Sequence, residues 1–497
     1  MIARLEISAM DELYVRVKGG GEICVPASPS ITTYVLIEQE DWFEAEIAFV
    51  RRLLRPGMRA IDVGANYGTY TLAMAKAVGA SGRVWAYEPA SATARYLRNT
   101  IGRNGLAQVE MCQAALSDRP GIGRLHLDTQ VELNRLTADG NGEEVSLTTL
   151  DSEHLSRSWE PVDFIKIDAE GSELDIIRGG ETFFAEQSPL VMFERRAADR
   201  ENEGVQSAFR TRGYALFKLI GPDEYLVPVG LDERFDAFDL NLFACKPDRA
   251  EILSAAGLLT TACAKARDAA PGSGLALWRR QNFAGAFADA KRASKPAYQR
   301  ALDAYAVWRD PAWQLSERCG ALNSAAEILR RLTADTQNLA VLSTGARVAH
   351  EAGMRVQAID CLNRMRDLMR QRPPQLNEPF WPAAARYDAI RPGAADRGIW
   401  FLAATLEAYE QRRAFSSQFA APETLAGLDW LAGTPYASPA MERRRQLIAI
   451  STGRQRQRQA SPLLNKTTAE HLNPQLWGGR GATAGTAAGG EGERPIR

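Results

Sequence analysis

The stretch Ala60–Tyr70, AIDVGANYGTY, leaves the chain around it few folds to choose from. A short apolar run ends in a loop where Asp62, Gly64, Asn66 and Gly68 alternate with other residues. A helix-like run, TYTLAMAKAVG, opens at once. Glycines let the backbone turn tightly and let a ligand approach it closely. A strand turning through such a loop into a helix is the first half of a parallel crossover. The pattern then recurs. RVWAYEP is followed by the helical SATARYLRNTIGRN and by QVEMCQAAL. Further on, DFIKIDAEG leads into a short helix, ELDIIRGG, that stops at Gly179-Gly180. PLVMFE, a helix around Val205–Arg212, YALFKLI and DLNLFACK complete the series, with GRLHL (Gly123–Leu127) and VSLTTL (Val145–Leu150) as further strands. Strands separated by helices predict an α/β fold with a doubly wound sheet between Met58 and about Lys246.

Other segments flank this unit. LYVRV and EICVP alternate apolar and polar residues around Gly19-Gly20-Gly21, a hairpin pattern, and Asp41–Leu54 has helical spacing that Pro56-Gly57 stops. From about 248 to 436 the chain is rich in Ala, Leu and Arg and reads as stacked helices. Within it Asn338–Met365 resembles one tetratricopeptide repeat, a generic helical hairpin being the alternative. MERRRQ and TGRQRQRQ form an arginine-rich stretch, read as a solvated tail that could touch an anionic partner, and the Gly/Ala-rich end from Gly478 is expected to be disordered. The domains expected are therefore 1–57, a hairpin and helix; 58–247, the α/β unit; 248–440, a helical domain that could bind a protein partner or self-associate; and 441–497, the arginine-rich segment and tail.

Composition narrows the classes. A chain of 497 residues is too long for one compact core. Lys plus Arg is 60 against Asp plus Glu 61, which argues against a surface built for nucleic acid. The start lacks a signal-peptide pattern, and no long uncharged apolar run suggests a transmembrane helix. The cysteines Cys24, Cys112, Cys245, Cys263, Cys319 and Cys361 form no C-x-x-C pair, and there are four histidines. A zinc site and a disulfide framework are not expected, and the chain reads as soluble, reduced and cytoplasmic.

The glycine loop carries chemistry of its own. Asn66 stands where a dinucleotide fingerprint has its second glycine, and Asp62 sits two residues before the first. A carboxylate there repels a pyrophosphate and favours a cationic ligand such as the amino group of S-adenosylmethionine (SAM). The helix N-terminus alone would accept either. Glu88 ends the next strand, where a carboxylate can accept hydrogen bonds from both ribose hydroxyls. Asp118, in AALSD, is placed to accept from an adenine amino group, or else serves the turn before Pro120-Gly121.

DFIKIDAEGSE is the second signal. Strand alternation puts Phe164, Lys166 and Asp168 on one face. A lysine and an aspartate are costly in a buried strand, so they are expected at its carboxyl end, where open α/β sheets hold ligands. Glu170 and Glu173 follow at a helix entrance, Glu173 suiting the helix dipole, and Glu194 ends the next strand. These groups suit methyl transfer to a hydroxyl, which needs the acceptor oxygen aligned and its proton removed. Lys166 could hold alkoxide charge and a carboxylate take the proton. Alternatively Asp168, Glu170 and Glu194 could gather around a divalent cation. A structural ion pair between Lys166 and Asp168 is the plain alternative.

Taken in order, IDVGANYGTYTL, YEP, AALSD, TLD (Thr149–Asp151), DFIKIDAEGSELDIIRGG and PLVMFE resemble the FkbM family of SAM-dependent methyltransferases over roughly residues 58–246. The resemblance implies a Rossmann-like class I methyltransferase fold and O-methylation, often of sugar or polyketide-type hydroxyls. By position, Asp62, Gly64, Ala65, Asn66, Gly68, Glu88 and Asp118 match its SAM-binding segments. Lys166, Asp168, Glu170 and Glu194 match its acceptor side. The expectation is a SAM-dependent O-methyltransferase acting on a small-molecule or glycan acceptor. RNA ribose 2′-O-methylation and a non-catalytic helical scaffold with a SAM-binding domain are the rivals. The helical region lies outside the family pattern.

Overall fold

The computed structural model of the chain describes residues 12–28, 30–128, 134–137, 142–195, 200–230, 233, 235, 238–265, 269–290, 292–455 and 459–477. β1 (Glu12–Arg16) and β2 (Glu22–Pro26) form the expected antiparallel hairpin. α1 (Ile31–Gln39) comes next, and the sequence reading leaves it unassigned. Its run ITTYVLIEQ is rich in β-branched residues, which disfavour helix. Residues 32–38 are all buried, so no polar face exists for a helical period to display. The helix is fixed by its surroundings and by Ser30, whose side chain accepts the Thr33 N–H. α2 (Glu46–Leu53) is shorter than the expected helix from Asp41, because residues 42–44 line the central cavity instead.

The α/β unit runs β3 (Arg59–Val63), α3 (Thr69–Val78), β4 (Arg83–Tyr87), α4 (Ser91–Arg103) and β5 (Val109–Cys112). β6 (Ala115–Leu116), β7 (Gly121–His126), β8 (Arg135–Thr137) and β9 (Glu143–Thr148) leave the main sheet and make a small one in the order β6-β9-β7-β8. α5 (Leu150–Arg157), β10 (Phe164–Ile167), α6 (Glu173–Arg178), β11 (Leu190–Glu194), β12 (Ala215–Ile220), β13 (Tyr225–Pro228) and β14 (Asn241–Cys245) follow. The main sheet has the order β13-β12-β14-β11-β10-β3-β4-β5. Strands β5, β4, β3, β10 and β11 are parallel, and β14, β12 and β13 pair antiparallel beyond them. From β3 the chain builds outward to β4 and β5 and later returns to place β10 on its other side. The switch point therefore lies at the carboxyl ends of β3 and β10, where open sheets hold ligands.

The two-residue period of the strands divides two cores. Ala60, Phe164, Leu190, Met192 and Phe243 face the hairpin and the helices before the sheet. Ile61, Val63, Ile165, Ile167, Val191 and Phe193 face Phe183, Phe184 and Phe209 on the other side.

Helices make up the described chain beyond Pro247, among them Leu315–Thr333, the hairpin of Leu339–Glu351 with Arg355–Gln371, and Arg397–Arg413. The hairpin buries Ala346, Ala349, Ala358 and Leu362. No helix among the described residues is long and apolar enough to cross a membrane.

Two expectations are corrected. Cys263 and Cys319 form a disulfide, their Cα atoms 5.1 Å apart across 56 residues of chain, so the fully reduced reading fails. Sequence spacing carries no trace of a pair that a folded-back helix brings together. The arginines of MERRRQ are not a solvated tail. They lie in helix Pro439–Ser451, with Arg443 and Arg444 buried against α1. Arg444 pairs with Glu38 at 2.7 Å and Arg443 with Glu40 at 3.3 Å, and Asn473 and Leu472 donate N–H groups to Glu40. Burial forces these charges to pair. Residues 456–458 of the second arginine run and the tail from Gly478 lie outside the described residues.

Candidate active site

The cavity sits at the switch point and encloses about 310 Å³. Its floor begins where β3 ends. Gly64 has φ +75°, and a Cβ there would lie 1.8 Å from the Asp168 carbonyl oxygen, so only glycine lets the β3 and β10 loops touch. Asn66 and Glu170 also take positive φ, at 50° each, one in each loop. Such backbone costs energy and concentrates at functional sites.

Asp62 is fully buried. Its Oδ2 accepts the Thr71 hydroxyl at 2.6 Å, while Oδ1 has no hydrogen-bond partner and lies 4.0 Å from Lys166 Nζ. Desolvation raises its pKa and the Lys166 charge opposes that rise. Glu88 is 7% exposed and accepts the Asn66 N–H at 3.0 Å and the Ala90 N–H at 2.9 Å. Burial pushes its carboxyl up to about 7 against those bonds.

Lys166 and Asp62 are register partners on adjacent strands, which is why they face each other. Lys166 Nζ donates to Asp168 Oδ2 at 2.8 Å and stands 5.1 Å from the Tyr70 ring centre. Desolvation pulls its pKa down, but Asp168 and Asp62 outweigh that and hold it above the ordinary lysine value. Beyond it, carboxylate oxygens of Asp168, Glu170 and Glu194 come within 4.8 Å of one another.

The structure thus brings Asp62, Gly64, Ala65, Asn66, Glu88, Lys166, Asp168, Glu170 and Glu194 to one cavity. It leaves two predicted residues out of the lining. Gly68, at φ +91°, caps the start of α3, and Asp118 stands on the surface 3.8 Å from Arg119. Glu173 turns inward instead and accepts the N–H groups of Ala169 and Gly171, bracing the loop.

Sequence reasoning missed Glu44. It lies just ahead of α2, and its Oε2 accepts the Tyr70 hydroxyl at 2.6 Å. Desolvation raises its pKa, the Tyr70 hydrogen bond lowers it, and nearby Asp168 raises it further. No local pattern marks Glu44, because only the return of the segment over the sheet brings it there. Trp42, Phe43, Phe415 and Phe419 were missed for the same reason.

Among the described residues the lining holds six acids, Glu44, Asp62, Glu88, Asp168, Glu170 and Glu194, against two basic residues, Arg135 and Lys166. Such a cavity favours a cationic ligand and resists a polyanion. Apolar walls at Tyr87, Leu116, Leu125 and Leu136 flank the Glu88 end.

Residues 62–216 match the family model of the methyltransferase FkbM domain. No curated protein matches the chain. Among solved structures, a methyltransferase FkbM from Methylobacillus flagellatus is 16% identical over 40% of this chain and 50% of that one, with a TM-score of 0.27. Fibrillarin from Aeropyrum pernix with bound S-adenosyl-L-methionine is 12% identical over 49% and 97%, at a TM-score of 0.25. An O-methyltransferase from Bacillus cereus in complex with SAH is 15% identical over 44% and 81%, also at 0.25. Residues 62–216, which carry most of the cavity lining, thus resemble a methyltransferase domain, and the sheet is the Rossmann-like α/β sheet that the resemblance implies.

Proposed function

We propose that the chain is a SAM-dependent O-methyltransferase acting on a hydroxyl of a neutral, sugar-like acceptor. One observation carries the reading. A lysine held protonated between two carboxylates sits at the switch point of the sheet, inside a cavity dominated by acids.

The residues fit SAM. Asp62 Oδ1 is buried without a hydrogen-bond partner, and the ammonium of the ligand's methionine part would supply the missing donors. Glu88 keeps free lone pairs for ribose hydroxyls, and the apolar walls beside it suit adenine. When bound, SAM supplies an electrophilic methyl group. The chain's own work is to align the acceptor and manage its proton. Lys166 stays charged, so it cannot take a proton. It stabilises negative charge developing on the acceptor oxygen. The proton goes to a carboxylate, with Asp168, Glu194 and Glu44 all facing the cavity.

Asp168, Glu170 and Glu194 could instead hold a hard divalent cation, which would lower the hydroxyl pKa in place of a base. The six acids weigh against an RNA acceptor, whose phosphates they would repel. The test is transfer of labelled methyl from SAM to a glycan extract by the full chain. Label appearing in the glycan fraction, and lost in Lys166→Gln, supports the reading. Label in RNA alone, or transfer undiminished in Lys166→Gln, removes it. Exhaustive chelation decides the cation: survival of activity leaves proton transfer to side chains or water.

A further inference from the structure

Among the described residues, Phe415 and Phe419 of the helical region line the cavity. Phe415 lies 4.6 Å from Phe43 and 4.2 Å from Phe238, ring centre to ring centre, and Phe43 lies 4.9 Å from Trp42 with the two rings tilted by 50°. Phe419 stands at the same cavity with 55% of its surface exposed. A large apolar side chain held in water at a cavity mouth, beside further rings, marks a binding face.

The segment is built to be there. Arg444 donates from Nε to Glu38 and from Nη2 to the carbonyls of Ala414 and Phe415 at 3.2 Å each. Glu38 accepts the Ser417 N–H at 2.5 Å with its other oxygen. Gln39 holds the Phe415 carbonyl at 2.9 Å. Ser416 accepts the Gln418 N–H and starts the 3₁₀ turn Ser417–Phe419. Buried charges thus clamp the turn onto α1, and the turn hands its two aromatic rings to the cavity.

We propose that Phe415 and Phe419, with Trp42 and Phe43, form the platform on which the acceptor's ring lies, so that the helical region determines acceptor choice. The inference rests on the methyltransferase reading and deepens it. An aromatic wall takes the apolar C–H face of a sugar ring. The acids opposite accept hydrogen bonds from its hydroxyls and turn anionic rings away.

Ligand-observed NMR on the full chain tests this with two neutral probes, methyl β-glucopyranoside and phenol, in the presence of S-adenosylhomocysteine (SAH). The glucopyranoside should receive saturation from the wild-type protein. Phe419→Ala, an exposed position that leaves folding intact, should weaken that probe about three- to tenfold, the worth of one ring contact. Phe415→Ala should act in the same direction, and SAH affinity should stay within about twofold in both. Contact with phenol alone would overturn the sugar platform. Contact with neither probe overturns the proposal, as does unchanged probe binding in both variants. If SAH fails to bind the wild type, the methyltransferase reading falls, and the probes alone still decide the platform.

Discussion

Lys166 keeps its proton because Asp168 and Asp62 outweigh the cost of burying it. Replacing it with glutamine should therefore lower transfer by about a hundredfold or more, the usual scale for a positioned charge at a reacting oxygen, while SAH still binds. Asp168→Asn should act likewise, and near wild-type rates in both variants would reduce the pair to a structural ion pair. Glu88 offers a sharper handle. Burial pushes its carboxyl up to about 7. Hydroxyl donors stabilise its charged form, so SAH affinity should rise as pH climbs from about 6 to about 8. Calorimetry across that range checks it, and Glu88→Gln should flatten the profile and cost about 1–3 kcal/mol of binding. A slope that persists in Glu88→Gln belongs to another group.

At the level of elements, the loops after β3 and β10 are locked against each other at Gly64. Gly64→Ala should destabilise the fold by about 2 kcal/mol or more, since the new Cβ meets the Asp168 carbonyl and the φ is left-handed. Thermal unfolding measures this, and an unchanged midpoint would mean the loops can part freely. These loops were legible in the sequence, because strand alternation, glycine spacing and helix entry all act within a dozen residues. Lys166 and Asp168 could be placed on one face from the period of two alone. α1 was not legible. It is buried all round, so the period that reveals helices is absent, and its β-branched run points the wrong way. Nor was the separate sheet of β6 to β9, whose pairing is set by return of the chain. Glu44 stayed hidden because the segment before α2 looks like helix until the sheet below it is known.

For the whole molecule, the end of the described chain folds back on its beginning. Leu447, Leu464, Leu476 and Trp477 share a core with Val15, Ile23 and Leu36. Glu38 of α1 and Glu40 just after it take their cations from Arg444 and Arg443 respectively. A boundary near residue 248 is thus a proposal about chain order, and the packing predicts its consequence. A fragment of residues 1–247 loses the cations of Glu38 and Glu40 and uncovers the apolar surface that Leu447, Leu464, Leu476 and Trp477 cover. That fragment should be insoluble or markedly less stable than the full chain, and a soluble fragment with the full chain's melting midpoint would show that the clamp contributes nothing. Arg444→Met should reproduce part of the loss in the full chain. The central claim is that the cavity at the switch point holds SAM through Asp62 and Glu88. Isothermal titration calorimetry of the full chain with SAH and with NAD tests it most directly. The account predicts one-to-one SAH binding, weakened at least about tenfold in a folded Asp62→Asn variant, and no heat from NAD. NAD binding more tightly than SAH, or SAH binding untouched by Asp62→Asn and Glu88→Gln alike, would contradict it.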